Sequence, residues 1–257
     1  MTAKLFAGID VGTTTTKAVI VDAERQVVGC CVQRSGASLA AAADAALAKA
    51  LARAGAAREL VQGIVATGYG RKSVAVARDT VTEIRCHGRG SYHYFREALT
   101  IVDIGGQDSK VIKLDAAGKL VHFKMNRKCA AGTGAFLEDL AHRLDIPLSE
   151  FGPLAQAASV TASLGSYCTV FTATEVLDRL RAGEPVNSLI RGLFDSIVKR
   201  IMEMESLSGR VVMTGGVVAY NPLVAELLGR RANLEITVAP HPQEMGAFGA
   251  ALFAAEH

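Results

Sequence analysis

Two short turns in this chain carry residues that could hold a phosphate. The first is Asp10-Val11-Gly12-Thr13-Thr14-Thr15-Thr16-Lys17, and the second is Asp103-Ile104-Gly105-Gly106-Gln107-Asp108-Ser109-Lys110. Each sets a carboxylate at the end of an apolar run, followed by glycine, hydroxyls and an ammonium. Unpaired backbone N–H groups at a glycine turn act as fixed partial positive charges, which suits an anion. Gly12, Thr13, Thr14 and Lys17 are the expected phosphate contacts of the first turn, with Gly105, Gly106 and Ser109 those of the second. Asp10 and Asp103 suit Mg2+, a hard cation that takes carboxylate and water oxygens. With Gln107 they are the expected catalytic groups, one aspartate orienting the attacking water.

Ordinary hairpin turns also use Gly and Thr, because glycine supplies positive φ and threonine favours strands. One copy alone would not decide between the two readings. The doubled pattern does, and it extends beyond the turns. Asp10 matches Asp103, Gly12 matches Gly105, Thr16 matches Ser109, Lys17 matches Lys110, and Asp22-Ala23 matches Asp115-Ala116. A third glycine pair, Gly215-Gly216, follows the apolar run Val211–Met213 and would let the backbone approach a nucleoside closely.

The elements that must position these turns alternate between strand and helix. Each copy reads as strand, tight turn, strand, Asp-containing turn, strand. Residues 39–54 form an Ala-rich helix stopped at Gly55, and residues 61–66 form a strand ending in Thr67-Gly68-Tyr69-Gly70. Helices are expected over 135–144, 174–181, 186–207 and 243–255. In the long one, Ile190, Leu193, Ile197, Ile201 and Met204 share a stripe. Alternation through both halves gives an α/β class with a duplicated domain. The boundaries are 1–98 plus 243–257 for the first domain and 99–242 for the second, packed around a shared cleft.

Composition narrows the function. Of 257 residues, 28 are Lys or Arg and 25 Asp or Glu, and half are hydrophobic. That excludes a disordered chain, and a net charge of +3 without a basic tract argues against a nucleic-acid partner. No apolar stretch approaches the roughly 18 residues of a membrane span, and the N-terminus lacks a signal-peptide core. A soluble cytoplasmic protein with no membrane partner is expected. The five cysteines, Cys30, Cys31, Cys86, Cys129 and Cys168, contain no Cys-x-x-Cys pair. Metal ligation would therefore need distant segments or a second copy. Taken singly, each thiol reads as a small buried hydrophobe. His87, His93, His122, His142, His241 and His257 show no consistent partners and read as ordinary surface or core residues.

The two phosphate turns and the Gly215-Gly216 pair, in this order, resemble the acetate and sugar kinase/Hsc70/actin superfamily. Within it, three segments are similar to the 2-hydroxyacyl-CoA dehydratase activator (BadF/BadG/BcrA/BcrD) ATPase family. They are the second turn, Met125-Asn126-Arg127-Lys128-Cys129-Ala130-Ala131-Gly132-Thr133-Gly134-Ala135-Phe136-Leu137-Glu138, and Cys168-Thr169-Val170-Phe171. Thr214-Gly215-Gly216-Val217 and Pro242-Gln243-Glu244-Met245-Gly246-Ala247 extend the likeness toward the C-terminus.

That resemblance implies two actin/ribonuclease-H-like domains around a nucleotide cleft, binding ATP or ADP with Mg2+. It implies a homodimer sharing one [4Fe-4S] cluster, fed by a ferredoxin or flavodoxin. The electron would pass to a CoA-ester dehydratase or a benzoyl-CoA-reductase-type partner. A cubane cluster takes four thiolates, and a two-fold axis would double Cys129 and Cys168 into that set. Both cysteines would then present helix N-termini to the cluster. Gly132, Gly134, Glu138, Gly215, Gly216 and Gln243 become nucleotide contacts. Two departures stand out: Ala173 replaces a usual carboxylate, and Arg127 replaces a usual aspartate before Cys129. A small-molecule kinase of the superfamily is the alternative, with a nucleotide-switched binding module behind it. The kinase reading leaves the two motif cysteines unexplained.

Overall fold

The computed structural model of the chain describes residues 4–126, 133–165 and 168–256. It divides into two compact units. One comprises Met1–Glu97, Leu114–Leu120 and Gln243–His257, and the other Ala98–Lys113 and Val121–Pro242. The Leu114–Leu120 turn groups with the first unit, whereas the sequence reading kept it in the second. The Tyr92 hydroxyl donates to the Ala116 carbonyl at 2.9 Å, and the Tyr92 ring sits so close to Gly118 that a side chain there would collide with it.

The first unit opens with β1 (Leu5–Val11), β2 (Thr15–Val21) and β3 (Val27–Arg34), an antiparallel meander. After α1 (Leu39–Arg53), β4 (Val61–Thr67) joins parallel to β1, and the short β5 (Asp79–Thr80) closes the order β3-β2-β1-β4-β5. Ser38 caps α1 by accepting from the Ala41 amide, satisfying a donor that a helix start leaves unpaired. β1 is buried on both faces, as a central strand must be. Leu5, Ala7, Ile9 and Val11 join the α1 side chains Ala43, Ala46, Leu47 and Ala50 in one core. The opposite face carries Gly8 and Asp10 and lies under α9 (Met245–Ala254), so closely that a Cβ on Gly8 would collide with the Ala247 carbonyl. Against α9 packs α2 (Glu83–Phe95), a helix that the sequence pattern does not announce.

The second unit repeats the plan. β6 (Leu99–Ile104), β7 (Ser109–Leu114) and β8 (Leu120–Asn126) are joined by β9 (Arg210–Thr214) and β10 (Ile236–Val238) in the order β10-β9-β6-β7-β8. Strand for strand this matches the first sheet, down to the parallel pairing of β6 with β9 and of β9 with β10. Its helices are α3 (Gly134–Leu144), α4 (Leu148–Ala157), α5 (Thr169–Arg181), α6 (Val186–Met204), α7 (Gly216–Tyr220) and α8 (Leu223–Ala232). Along α6, Ile190, Leu193, Ile197 and Ile201 are buried in the core with Phe136, Leu140 and Phe151, and Met204 packs at its edge. The helix expected from 174 starts five residues earlier, directly after Cys168. α4, α7 and α8 went unread in the sequence. Among the described residues, no helix is long and apolar enough to cross a membrane.

Candidate nucleotide and metal site

Each unit builds one row of polar side chains across the middle of its sheet. In the first, Asp10 on β1 pairs in register with Lys17 on β2 and with Thr67 on β4. Directly paired residues project from the same face, so ammonium, carboxylate and hydroxyl lie side by side. Lys17 Nζ donates to Asp10 Oδ2 at 3.2 Å. In the second, Asp103 on β6 pairs in register with Thr214 on β9, and Lys110 Nζ on β7 donates to Asp103 Oδ2 at 3.0 Å.

The rows differ at the second carboxylate oxygen. Thr214 Oγ1 donates to Asp103 Oδ1 at 2.8 Å, so both oxygens of that carboxylate are engaged. Lys110 also donates to Asp108 Oδ1 at 2.7 Å, and Asp103 is only 2% exposed. In the first row Thr67 Oγ1 makes no hydrogen bond of ordinary geometry among the described residues. Burial pushes the neighbouring Cys86 thiol up to about 12, opposed by its contact with the Thr67 hydroxyl. Asp10 Oδ1 instead faces Gly68, whose φ of +86° and missing side chain let the chain pass where a Cβ would collide with the oxygen.

Both glycine turns are closed by a hydrogen bond from their first glycine, so that amide is engaged within the turn and not left unpaired as the sequence reading expects. The Gly12 amide donates to the Thr15 carbonyl at 3.1 Å, which tightens the first turn and leaves Thr13 exposed and Thr14 half-buried at its tip. Ser35 fastens it from β3's end, donating to the Gly12 carbonyl at 2.6 Å and lying 2.9 Å from the Thr16 hydroxyl. In the second turn the Gly105 amide donates to the Asp108 carbonyl at 2.9 Å. Gly134 and Ala135 donate to the Gly105 and Gly106 carbonyls at 2.9 and 2.8 Å, so the turn is stitched to the start of α3. Gln107 is exposed at its tip and Ser109 is buried below it. Glu138 lies one turn into α3, half-buried.

Gly215 has φ of +99°, and a side chain there would collide with the Ile104 backbone. Its amide donates to the Pro242 carbonyl at 2.8 Å, and Gly216 opens α7. Gln243 follows Pro242, half-buried, ahead of α9 in the first unit.

Cys168 is the N-cap of α5. The amides of Phe171 and Val170 hold its thiol below the ordinary range, because a thiolate accepts the donors a helix start leaves unpaired. Its carbonyl accepts from Thr172 N and Oγ1, fixing the cap. Val170 and Phe171 beside it are exposed, 70% and 77%. Ala173, the first departure, is 5% exposed, so a charge there would be buried rather than on a surface. Cys129, Gly132 and Arg127 lie outside the described residues. Cys31 and Cys86 are buried and Cys30 half-buried, all with free thiols.

Two sheets of matching order, each presenting an aspartate–lysine pair behind a glycine turn, define a duplicated nucleotide-binding fold. The chain belongs to the BadF/BadG/BcrA/BcrD ATPase family, whose model matches residues 7–254. It is 42% identical over 252 residues to the activator of lactoyl-CoA dehydratase of Anaerotignum propionicum, covering 97% of this chain and 96% of that one. It is 38% identical over 250 residues to the 2-hydroxyisocaproyl-CoA dehydratase activator of Clostridioides difficile, covering 96% and 93%. The solved structure of the activator of the 2-hydroxyisocaproyl-CoA dehydratase from Clostridium difficile with bound ADPNP superposes with a TM-score of 0.92 at 37% identity, covering 98% and 94%.

Proposed function

We propose that this ATPase is the reductive activator of a 2-hydroxyacyl-CoA dehydratase. On this reading it works as a homodimer, binds ATP with Mg2+, and holds a [4Fe-4S] cluster through Cys129 and Cys168 of both copies. The observation that carries the reading is Cys168 at the head of α5, with two amides favouring its thiolate. A thiolate at a helix N-terminus fits the donor chemistry of an iron–sulfur ligand, and an ordinary core cysteine gains nothing from it. When bound, the cluster supplies a low-potential electron to the CoA-ester-processing partner.

The nucleotide roles follow from the rows. Gly12, Thr13, Thr14 and Lys17 bind phosphate from the first turn, and Gly105, Gly106, Gln107 and Ser109 from the second. Gly215, Gly216, Gln243 and Glu138 contact the nucleoside. Asp10 takes the magnesium-facing role, because among the described residues only its Oδ2 is given a hydrogen-bond donor, and it orients the attacking water. Asp103, with both oxygens engaged, holds its turn in shape. A ferredoxin or flavodoxin is the electron donor. Relatives at 38% and 42% identity are named for dehydratases, which favours that partner over a benzoyl-CoA-reductase type.

The test is anaerobic purification. The expected preparation is brown, with roughly four iron and four sulfide per two chains, and loses both in the Cys168→Ser variant while still binding ADP. A colourless anaerobic protein that phosphorylates a small molecule would defeat the reading in favour of the kinase.

A further inference from the structure

His87 has no role in the reading above, yet it stands beside Asp10. A Cβ built on Gly246, in the first turn of α9, would fall 3.0 Å from His87 Nε2 and 3.3 Å from Asp10 Oδ2. Imidazole and carboxylate therefore face the same small volume, which exists because residue 246 has no side chain. His87 is buried on α2, and two further glycines fix that helix against α9. A side chain on Gly249 would collide with the Cys86 carbonyl, and one on Gly90 would fall 2.9 Å from the Met245 carbonyl. Backbone-to-backbone packing of this kind leaves α2 little freedom to turn His87 away from Asp10.

The second unit shows what Asp10 would otherwise lack. There a threonine hydroxyl anchors the carboxylate while the lysine holds the other oxygen. In the first unit the matching hydroxyl, that of Thr67, makes no such bond. Lys17 is Asp10's hydrogen-bonded partner, on a flexible four-carbon stem. If Lys17 turns to the phosphate, that bond is lost at the moment the carboxylate must be fixed.

We propose that His87 is a positioning residue for Asp10. Its Nε2, directly or through one water in the volume that Gly246 keeps open, holds Asp10 Oδ2 and so sets the direction in which the carboxylate meets the magnesium-bound water. This rests on the reading of Asp10 as the magnesium-facing carboxylate. Outer partners of a metal-facing carboxylate act through its orientation and not through substrate contact. The effect should therefore appear in turnover and metal affinity, with nucleotide affinity little changed.

The test compares His87→Ala, His87→Gln and Gly246→Ala in the intact dimer. In His87→Ala, kcat for ATP hydrolysis is expected to fall about 10- to 100-fold while KM stays within about twofold. Mn2+ affinity in the presence of ADP, read from the free-ion EPR signal, should weaken about tenfold. His87→Gln, whose amide can stand where Nε2 stands, should recover most of both losses. Gly246→Ala places a methyl in the shared volume but favours helix α9, so it should lose turnover without losing thermal stability.

A His87→Ala protein with kcat and Mn2+ affinity within twofold of wild type would overturn the inference, as would a glutamine variant no better than alanine. Should His87→Ala fail to fold, a Gly246→Ala protein with wild-type turnover would overturn it equally. A wild type that hydrolyses no ATP would instead defeat the function on which the inference rests.

Discussion

Lys17, Asp10 and Thr67 lie across β2, β1 and β4 as Lys110, Asp103 and Thr214 lie across β7, β6 and β9. The same three residue types in the same places are held in different states. Asp103 is closed: both oxygens accept from protein donors, and its lysine is 3% exposed and shared with Asp108. Asp10 is open: one oxygen meets Lys17 and the other faces a glycine. A buried carboxylate with both oxygens held by protein donors contributes structure. One with an oxygen left over can serve a metal or a water. Duplication supplied two copies of the turn, and the threonine hydroxyl bonds the carboxylate in the second copy only.

The largest expected effect tests that division directly. Asp10→Asn should lower ATP turnover about 100-fold or more with a normal unfolding transition, measured by phosphate release and thermal denaturation. Asp103→Asn should do the reverse in kind, disturbing stability ahead of chemistry. Equal kinetic losses in the two variants, with equal stability, would erase the distinction.

Stability gives the next contrast. Asp103→Ala leaves Lys110 in the interior with one carboxylate fewer and should cost about 3–5 kcal/mol. Asp10→Ala releases Lys17, 15% exposed against 3% for Lys110, and should cost less, about 2 kcal/mol. Urea titrations of both variants would measure the difference.

The threonines sharpen it further. Thr214→Val removes a buried hydrogen bond to a charged group and should cost about 2 kcal/mol. Thr67→Val removes a hydroxyl without a normal partner and should stay within about 0.5 kcal/mol of wild type. If Thr67→Val proved as damaging as Thr214→Val, the two rows would be equivalent after all.

The thiols provide the smallest effect. In cluster-free reduced protein, Cys168 has its pKa lowered by the α5 amides, so thiolate persists as pH falls below the ordinary thiol range. Its alkylation by iodoacetamide should therefore outlast that of a free thiol as pH falls from about 8.5. Cys86, raised to about 12 by burial, should stay unmodified throughout this range while the protein is folded. Peptide mapping at several pH values would check both.

Much of the site was visible as pattern. The repeat needs only period and residue type, and both turns and the Gly215-Gly216 pair fall between the elements that pattern gives, whereas the bond from each lysine to its own aspartate was not legible there. α2 was not visible, for a physical reason. Gly88 and Gly90 lower helix propensity locally, but Gly90 is required because α9 passes where a side chain would stand. A helix written for a close neighbour looks, residue by residue, like a poor helix. His87, on that helix, carries no pattern that sets it apart from the other histidines. α4 was hidden similarly by Pro153 inside it, which the surrounding core tolerates.

What the sequence by itself determined is the residue pattern of the turns and its doubling. Strand periodicity, turn glycines and the aspartate-to-lysine spacing are local, and local steric and hydrogen-bonding rules suffice to read them. What only the tertiary structure decided is which copy keeps, among the described residues, an oxygen without a donor and what stands beside it. Asp103 is closed by a threonine on β9, far along the chain, and Asp10 is flanked by a histidine on α2 through a gap in α9. Those relations depend on ångström-scale distances between segments remote in sequence. A threonine that bonds its neighbouring aspartate and one that does not are the same letter, so no pattern of letters could have told the two aspartates apart.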